Sequence, residues 1–450
     1  MQQAPGVMPG DAFGAPLPRR LRIGVGLGFL LFFLMLFLPA AYQPVKAVLL
    51  ALVLAGIVVQ AFVLGGLPLH GTIVYWTLFM VATSLTFMLR GAANGAPGAL
   101  QVGRVYALWP LVYTMLIAGV ARLGILTGIM RLLVAATIAI GLYGASYILH
   151  VVGWLPDVLY IPFDQGQRIG FYRGFVEFNL DSLASLLFLV PFAVSALMTW
   201  PKSEAPVSRV WLWAALIIGC TLVALSARRA LLLVVGLSPG FALLLRRWLP
   251  KRERRASRKL VLHFLLFGAC ALTGLGFVLH FVFGFDFGAV ADMFRRGFAF
   301  ESYARAVPRK EQFFNLLGGW AESPVLGAGH GAVAEGWLRS EEMPWAYELS
   351  YVALLFHTGL VGFLVYAAGV AWIIAMGVRI IREGARMALY TLSVLVGTIC
   401  FLIANAADPY LEKYDYMWVI FLPLALINAW LCAREHERPR SADHALHAPR

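Results

Sequence analysis

The chain is 450 residues long, 61% apolar and only 13% charged, with a formal net charge of +13. So much apolar surface cannot be hidden in one water-soluble core, so the composition demands lipid as the solvent. The basic balance does not require nucleic acid: no folded soluble module is left over to carry a basic groove, and Lys and Arg gathering on the cytoplasmic loops of a membrane protein account for the charge.

Residues 1–22 read as a cytoplasmic tail, Pro/Gly-rich up to Pro18 and too poor in apolar residues to fold. A transmembrane domain follows over 23–433. Its first span, Ile23–Ala41, comes after Arg19, Arg20 and Arg22 and is long enough to stay as an anchor rather than act as a cleaved signal. Pro39, Gln43 and Pro44 mark the turn into a second span, Ala47–Leu64. The third and fourth, Ile73–Leu89 and Val105–Ala121, are separated by a Gly-, Asn- and Pro-bearing loop. The fifth, Leu132–Val152, ends at Trp154 and Pro156, as an interfacial aromatic belt predicts. An external loop over 155–178 carries Arg168, Arg173, Phe163, Phe171 and Tyr172, and a sixth span runs over Leu180–Trp200.

Between Trp211 and Leu245 the apolar sequence is too long for one helix at about 1.5 Å per residue. Arg228 and Arg229 sit at its middle, where a single helix would hold two guanidiniums at the bilayer centre at a cost of at least about 2.5 kcal/mol each. A hairpin of two short spans removes that cost and puts the arginines at the outer face. The ninth span, Leu260–Phe283, leads into a large periplasmic loop over 284–347. The tenth is Leu349–Ile374, with Arg379, Arg382 and Arg386 beyond it, and the eleventh is Leu389–Ile403. An outer loop then leads to the twelfth, Met417–Leu431. Residues 434–450 read as a polar, unfolded cytoplasmic tail. The expected fold is therefore an all-α polytopic membrane protein of about twelve transmembrane helices with one large external loop and both termini cytoplasmic.

Cys220, Cys270, Cys400 and Cys432 lie in apolar runs at unrelated spacings, which gives neither a disulfide framework nor a zinc pattern. No Asp-x-Asp or His/carboxylate cluster suggests a metal, and no Gly-Lys-Ser/Thr follows the glycine-rich turn at 327–331, so a nucleotide phosphate loop is unsupported. No cofactor is expected.

The polar passage from Asp292 to Gly362 is the exception in a hydrocarbon-soluble chain. It holds Arg295, Arg296, Arg305 and Arg309, then Ser-Pro-Val-Leu-Gly-Ala-Gly-His-Gly with His330, then Glu348 opening a span that passes through Gly359-Leu-Val-Gly362. A guanidinium is the side chain best suited to grip a diphosphate. The plainer readings are a solvated charge run for these arginines, snorkelling at helix ends for Arg228 and Arg229, a chain-return turn for His330 and a helix-capping carboxylate for Glu348.

Arg309, the Pro324–Gly329 turn, Glu348 and Gly359–Gly362, in that order, resemble the membrane family of O-antigen ligases and oligosaccharide polymerases. Ser226-Ala-Arg-Arg229 resembles that family's Ser-x-Ser-Arg-Gly element, and the run from Gly174 to Pro191 its Asn-bearing span start; the likeness covers roughly residues 165–365 of the chain. The resemblance implies an all-helical, GT-C-like membrane glycosyltransferase of the bacterial inner membrane, inverting and metal-independent, acting on polyprenyl-diphosphate-linked oligosaccharide and a glycan or lipid acceptor. By position it implies Arg229 and Arg309 as diphosphate ligands, with Arg305 a second-rank one. The family's ligases place a histidine where this chain has Glu348. A carboxylate can still take a proton from an acceptor hydroxyl, so Glu348 is the expected catalytic base, with His330 as its substitute, and polymerisation of repeat units is favoured over ligation to lipid A-core. A transporter or flippase of a lipid-linked or anionic solute is the competing class, and membrane lipids are partners on either reading.

Overall fold

The computed structural model describes residues 19–39, 41–163, 168–172, 175–226, 228–283, 288, 306–336, 340–384 and 387–446. Its helices are α1 (Arg19–Phe37), α2 (Gln43–Leu64), α3 (Gly71–Ala93), α4 (Ala99–Gly103), α5 (Trp109–Gly119), α6 (Leu123–Val151), α7 (Leu183–Thr199), α8 (Arg209–Leu225), α9 (Arg229–Arg246), α10 (Lys251–Phe283), α11 (Ala306–Glu322), α12 (Ser350–Glu383), α13 (Ala388–Asn405) and α14 (Trp418–Leu446). A π-helical turn, Arg104–Leu108, bends α4 into α5. Eight stretches are long and apolar enough to cross a membrane, and three shorter apolar helices, Arg22–Phe37, Leu183–Thr199 and Arg209–Leu225, accompany them among the described residues. By length and composition these helices are compatible with a helical membrane protein.

Local chemistry sets the helix ends. Pro44 in the first turn of α2 fixes φ where no intrahelical N–H bond is required. The His70 ring accepts the Thr72 N–H to start α3, and Gly384, at φ 63°, closes α12 in the left-handed conformation that glycine adopts freely. At the centre lies α7, apolar all round and buried over its whole length. It packs against α13, α9 and α8, and the Phe188 ring occupies the space where a Cβ on Gly397 would stand. Close approach at a small residue is how helices associate where lipid is as apolar as the side chains.

One buried ion pair fastens the periphery to this centre. Lys46, 2% exposed, donates to Leu38 O (3.1 Å), Pro39 O (2.7 Å) and Asp415 Oδ1 (2.9 Å), and Gln43 donates to Asp415 Oδ2 (2.9 Å). All three ammonium protons are thus used, which is what allows a charge to be buried here at all.

The passage expected as a plain outer loop, 284–347, is more structured than that. It contains α11, and residues 324–332 dock between α3 and α12. Within α12, Gly359 leaves helical geometry at φ 61°, ψ −170°, and the loop takes up the backbone groups this break frees. Leu360 and Val361 N–H donate to Pro324 O (2.9 Å) and Val325 O (3.1 Å), while Ala328 and Gly329 N–H donate to Phe356 O (2.9 Å) and His357 O (2.8 Å). Glycine is required on both sides: a Cβ on Gly359 would lie 2.4 Å from Val325 O, and one on Gly327, at φ 64°, 2.4 Å from the Gly359 nitrogen. The two glycine elements singled out in the sequence are therefore one contact. Arg90 secures it from α3, donating to Gly327 O (2.7 Å) and Ser323 Oγ (3.0 Å).

Gly359→Ala combines a backbone conformation reserved for glycine with a clash against a carbonyl, and is expected to destabilise the fold by at least about 2–3 kcal/mol. Gly318→Ala on α11, where an added Cβ meets nothing within 4 Å, is the control and should leave stability unchanged or raise it by up to about 1 kcal/mol, because alanine is the better helix former. Thermal unfolding of the two variants in one detergent checks both.

Other expectations are corrected. The fifth span begins at Leu123 rather than Leu132, because Arg131 turns outward and donates to Pro206 O (2.9 Å) instead of ending the helix. Arg379 and Arg382 lie within α12 rather than beyond it. Residues 434–446, read as an unfolded tail, continue α14, as their Ala, Arg and Glu residues allow. The stretch read as a loop over 155–178 contains two antiparallel strands, β1 (Arg168–Tyr172) and β2 (Phe175–Asn179), paired with Arg168 opposite Asn179.

Candidate functional site

Three segments distant in sequence meet at one end of the bundle: α11, the start of α12, and the 406–417 connection between α13 and α14. Gln312 on α11 sets the first of these junctions. Its Oε1 accepts the N–H groups of Glu348 (3.1 Å) and Leu349 (3.0 Å), capping a helix start that has no cap of its own. Ser350 Oγ donates to Asn405 O (2.6 Å) and Tyr351 OH to Leu402 O (2.6 Å), so α12 is latched to the end of α13. Asn405 Oδ1 in turn accepts the Leu411 N–H (3.0 Å), which shapes the connection leading on to α14. These bonds hold the backbone around Glu348 and Asp408 before any ligand arrives.

The side chains they position form a charge cluster. Arg309 Nε donates to Glu348 Oε2 at 2.5 Å, and Arg309 Nη2 lies 3.9 Å from Asp408 Oδ1. The three side chains are 47%, 26% and 36% exposed, so the cluster is open to an incoming molecule. Burial opposes the charge on Arg309, but the hydrogen bond and charge of Glu348, with help from Asp408, outweigh it and raise the pKa. Burial pushes Asp408 up, against the pull of Arg309 and Arg228. Tyr410 donates to Asp408 Oδ2 (3.3 Å), and its own pKa is raised by burial and by that carboxylate.

Arg228 stands at the start of α9, half-buried, close enough for its charge to act on both Asp408 and Tyr410. It arrives there because α9 packs along α13, whose end leads into the Asp408 connection. Arg229, the arginine the family pattern selects, is the first residue of α9 and is exposed.

Of the residues singled out in the sequence, Arg309 and Glu348 are thus brought into direct contact. Arg305, Arg295 and Arg296 lie outside the described residues. His330 is 0% exposed and belongs to another environment: its ring stacks on Tyr106 of the π-helical turn (centroids 5.4 Å apart), its Nε2 lies 3.3 Å from Tyr366 OH, and Tyr366 OH is 2.6 Å from Ser84 Oγ. Burial, with the neighbouring His357, pushes His330 down to about 3, so at neutral pH it is an uncharged ring sealed inside the protein. Asp408 and Gln312 were missed by sequence reasoning, and Arg228, weighed there beside Arg229, was passed over in favour of its neighbour. Asp408 offered one weak signal, an acid next to a proline in an outer loop, which marks a turn but not a partner. Among the described residues no three His, Cys, Asp or Glu side chains converge as metal ligands.

Chemically, the cluster is a guanidinium fork held between two carboxylates at a solvent-facing helix junction. Such a fork matches phosphate oxygens as well as carboxylates. No protein-family model matches the chain, and no curated protein matches it significantly.

Proposed function

We propose that the protein is an inner-membrane glycosyltransferase of the O-antigen polymerase kind, moving an oligosaccharide from a polyprenyl diphosphate to an acceptor hydroxyl at the periplasmic face. The observation that carries this reading is the Glu348–Arg309–Asp408 cluster, with Arg228 beside it: a diphosphate-competent arginine in contact with a carboxylate that can serve as base. The donor diphosphate displaces Glu348 from Arg309. The released carboxylate then accepts the acceptor hydroxyl's proton as its oxygen attacks the anomeric carbon. The bond from that carbon to the diphosphate oxygen breaks, and its electron pair leaves with the diphosphate, where Arg309 and Arg228 offset the growing charge. Attack opposite the leaving group inverts the anomeric centre.

A glutamate in place of the ligase histidine favours polymerisation, with ligation to a lipid A-core as the alternative outcome. One feature suits the transporter class, the broken helix α12. Its freed backbone groups are bonded by the 324–329 loop, and the exposed charges lie at helix ends, so the transferase reading is preferred. The glycan profile of a deletion strain tests it. Loss of long chains with one repeat retained on the lipid carrier marks a polymerase, accumulation of lipid-linked polymer with no attached glycan marks a ligase, and an unchanged profile overturns the transferase reading.

The reading also requires a topology: twelve spans, both termini cytoplasmic, and the cluster outside. Reporter fusions ending at Lys310 and Asp408 are expected to behave as periplasmic, and one ending at Arg255 as cytoplasmic. A cytoplasmic reporter at Lys310 would put the cluster in the wrong compartment.

A further inference from the structure

The elbow between α9 and α10, residues 246–259, holds eight Lys and Arg side chains and a single acid, Glu253. A bias of charge toward one side of a membrane accounts for cations in this connection, but not for their crowding. Arg246, the last residue of α9, folds its guanidinium back over the start of α10, where Nε donates to Ser257 Oγ (2.7 Å) and Nη2 to Arg254 O (2.5 Å). Arg254 and Arg258 lie one turn apart on α10, and the charges of both act on Arg246. Three guanidiniums thus repel one another at one place, beside the N-terminus of α10, whose dipole is itself unfavourable to cations. Glu253 does not relieve the three: a Cβ on Gly384 would lie 3.3 Å from its Oε1, so the carboxylate turns toward the end of α12. Among the described residues no carboxylate lies within ion-pair distance of any of the eight cations. Arg379 and Arg434, the paired arginines at this end of the bundle, both go to Glu383.

We propose that this elbow binds the headgroup of an anionic phospholipid, its phosphate set among Arg246, Arg254 and Arg258. Position selects a lipid over a soluble anion. Arg246 ends an apolar stretch long enough to span a bilayer, so the elbow begins at the membrane surface. Just beyond Lys259 the face of α10 turns apolar: Leu262, Leu265 and Leu266 are 58%, 47% and 60% exposed. Trp248 stands in the elbow with the Arg382 guanidinium of α12 5.1 Å over its ring, as an interfacial indole does. A bound molecule therefore meets guanidiniums at its head and exposed leucines along its tail. A neutral headgroup would leave the repulsion among the three guanidiniums in place, whereas a phosphate monoanion or dianion offsets it. The leucine face is open and encloses no tail, so the head alone is read, and anionic phospholipids are the standing anions of the leaflet that polybasic segments meet. The exposed side chains of Arg255 and Lys259 add to the attraction.

The full-length protein is reconstituted in nanodiscs of dioleoyl phosphatidylcholine with rising fractions of dioleoyl phosphatidylglycerol. Thermal unfolding is followed in the discs, and retained lipid is counted by native mass spectrometry after transfer to mild detergent. The parent should retain the glycerol lipid at least about tenfold in preference to the choline lipid, melt higher as its fraction rises, and lose both effects in high salt. Arg254→Gln with Arg258→Gln should weaken retention about twenty- to thirty-fold, as the removal of two charges from beside an anionic surface implies, while Arg254→Lys with Arg258→Lys keeps most of it. Arg255→Gln with Lys259→Gln serves if the first pair does not fold, and should act in the same direction. Arg122→Gln with Lys202→Gln removes equal charge from other loops of the same expected side, and should change retention by less than about twofold. Equal retention of the two lipids by the parent overturns the proposal, as does an equal loss in the Arg122 and Lys202 control, which would reduce the effect to net charge. So does a co-purified polyisoprenyl phosphate in place of phospholipid, or the same rise in melting produced by inorganic phosphate in detergent with no lipid retained. The site requires that the helices span a bilayer but not that the protein be a transferase, so the glycan profile and the lipid preference fail independently.

Discussion

Glu348→Gln is expected to lower turnover about 10²–10⁴-fold while leaving donor binding intact or tightening it. Gln keeps the size and much of the hydrogen bonding of Glu but cannot accept the hydroxyl's proton. It also gives up the charge that holds Arg309 at 2.5 Å in the empty site, so the guanidinium becomes easier for a diphosphate to capture. The expected signature is therefore a split, with kcat falling sharply and the donor KM unchanged or lower. A glutamate that served only to orient the start of α12 would behave differently: that N-terminus is already capped by Gln312, so the substitution would touch stability and leave kcat near the parent value. Elongation of a lipid-linked repeat by the purified Gln variant at the parent rate would remove Glu348 as the base and turn attention to Asp408, which is exposed to the same cleft, rather than to His330, which is not.

Arg309→Lys should cost about 10²–10³-fold in kcat/KM although the charge is conserved. The structure uses Arg309 as a fork, Nε toward Glu348 and Nη2 toward Asp408, and a lysine ammonium is a single point that cannot span both directions. A loss as small as about threefold would mean that charge alone suffices and that the fork is incidental. The companion measurement compares the two neighbouring arginines of α9. Arg228→Ala is expected to exceed Arg229→Ala in its effect on activity, because only the former is placed against Asp408 and Tyr410. A double-mutant cycle of Arg309→Ala with Glu348→Gln should return a coupling of about 1–3 kcal/mol, as for residues in direct contact.

The contrast between those two arginines shows where the sequence stopped being informative. A pair of guanidiniums halfway along an apolar stretch forces a hairpin, because the cost of holding them at the bilayer centre is large and needs no knowledge of neighbours. Which of the two faces the cluster depends on where α9 starts and on the roughly 100° turn between successive helical residues, and that phase is set by packing against α13. The glycines behaved in the same way. Pro324–Gly329 and Gly359–Gly362 stood out by composition, but that Gly327 and Gly359 lie against each other, with the loop completing the broken helix, is a statement about two backbones meeting.

By itself, then, the chain dictated the features that counting and local sterics control: a lipid environment, helices where apolar runs are long, breaks at Pro and Gly, and a charged passage from Arg309 to Glu348 that burial could not justify. Tertiary structure decided the rest. It paired Arg309 with Glu348 across 39 residues, brought in Asp408 and Arg228 from other elements, and buried His330 beneath Tyr106 and Tyr366. The physical reason is that hydropathy is a property of each residue and its near neighbours, whereas the partner of a charge is fixed only when helices far apart in sequence close on one another.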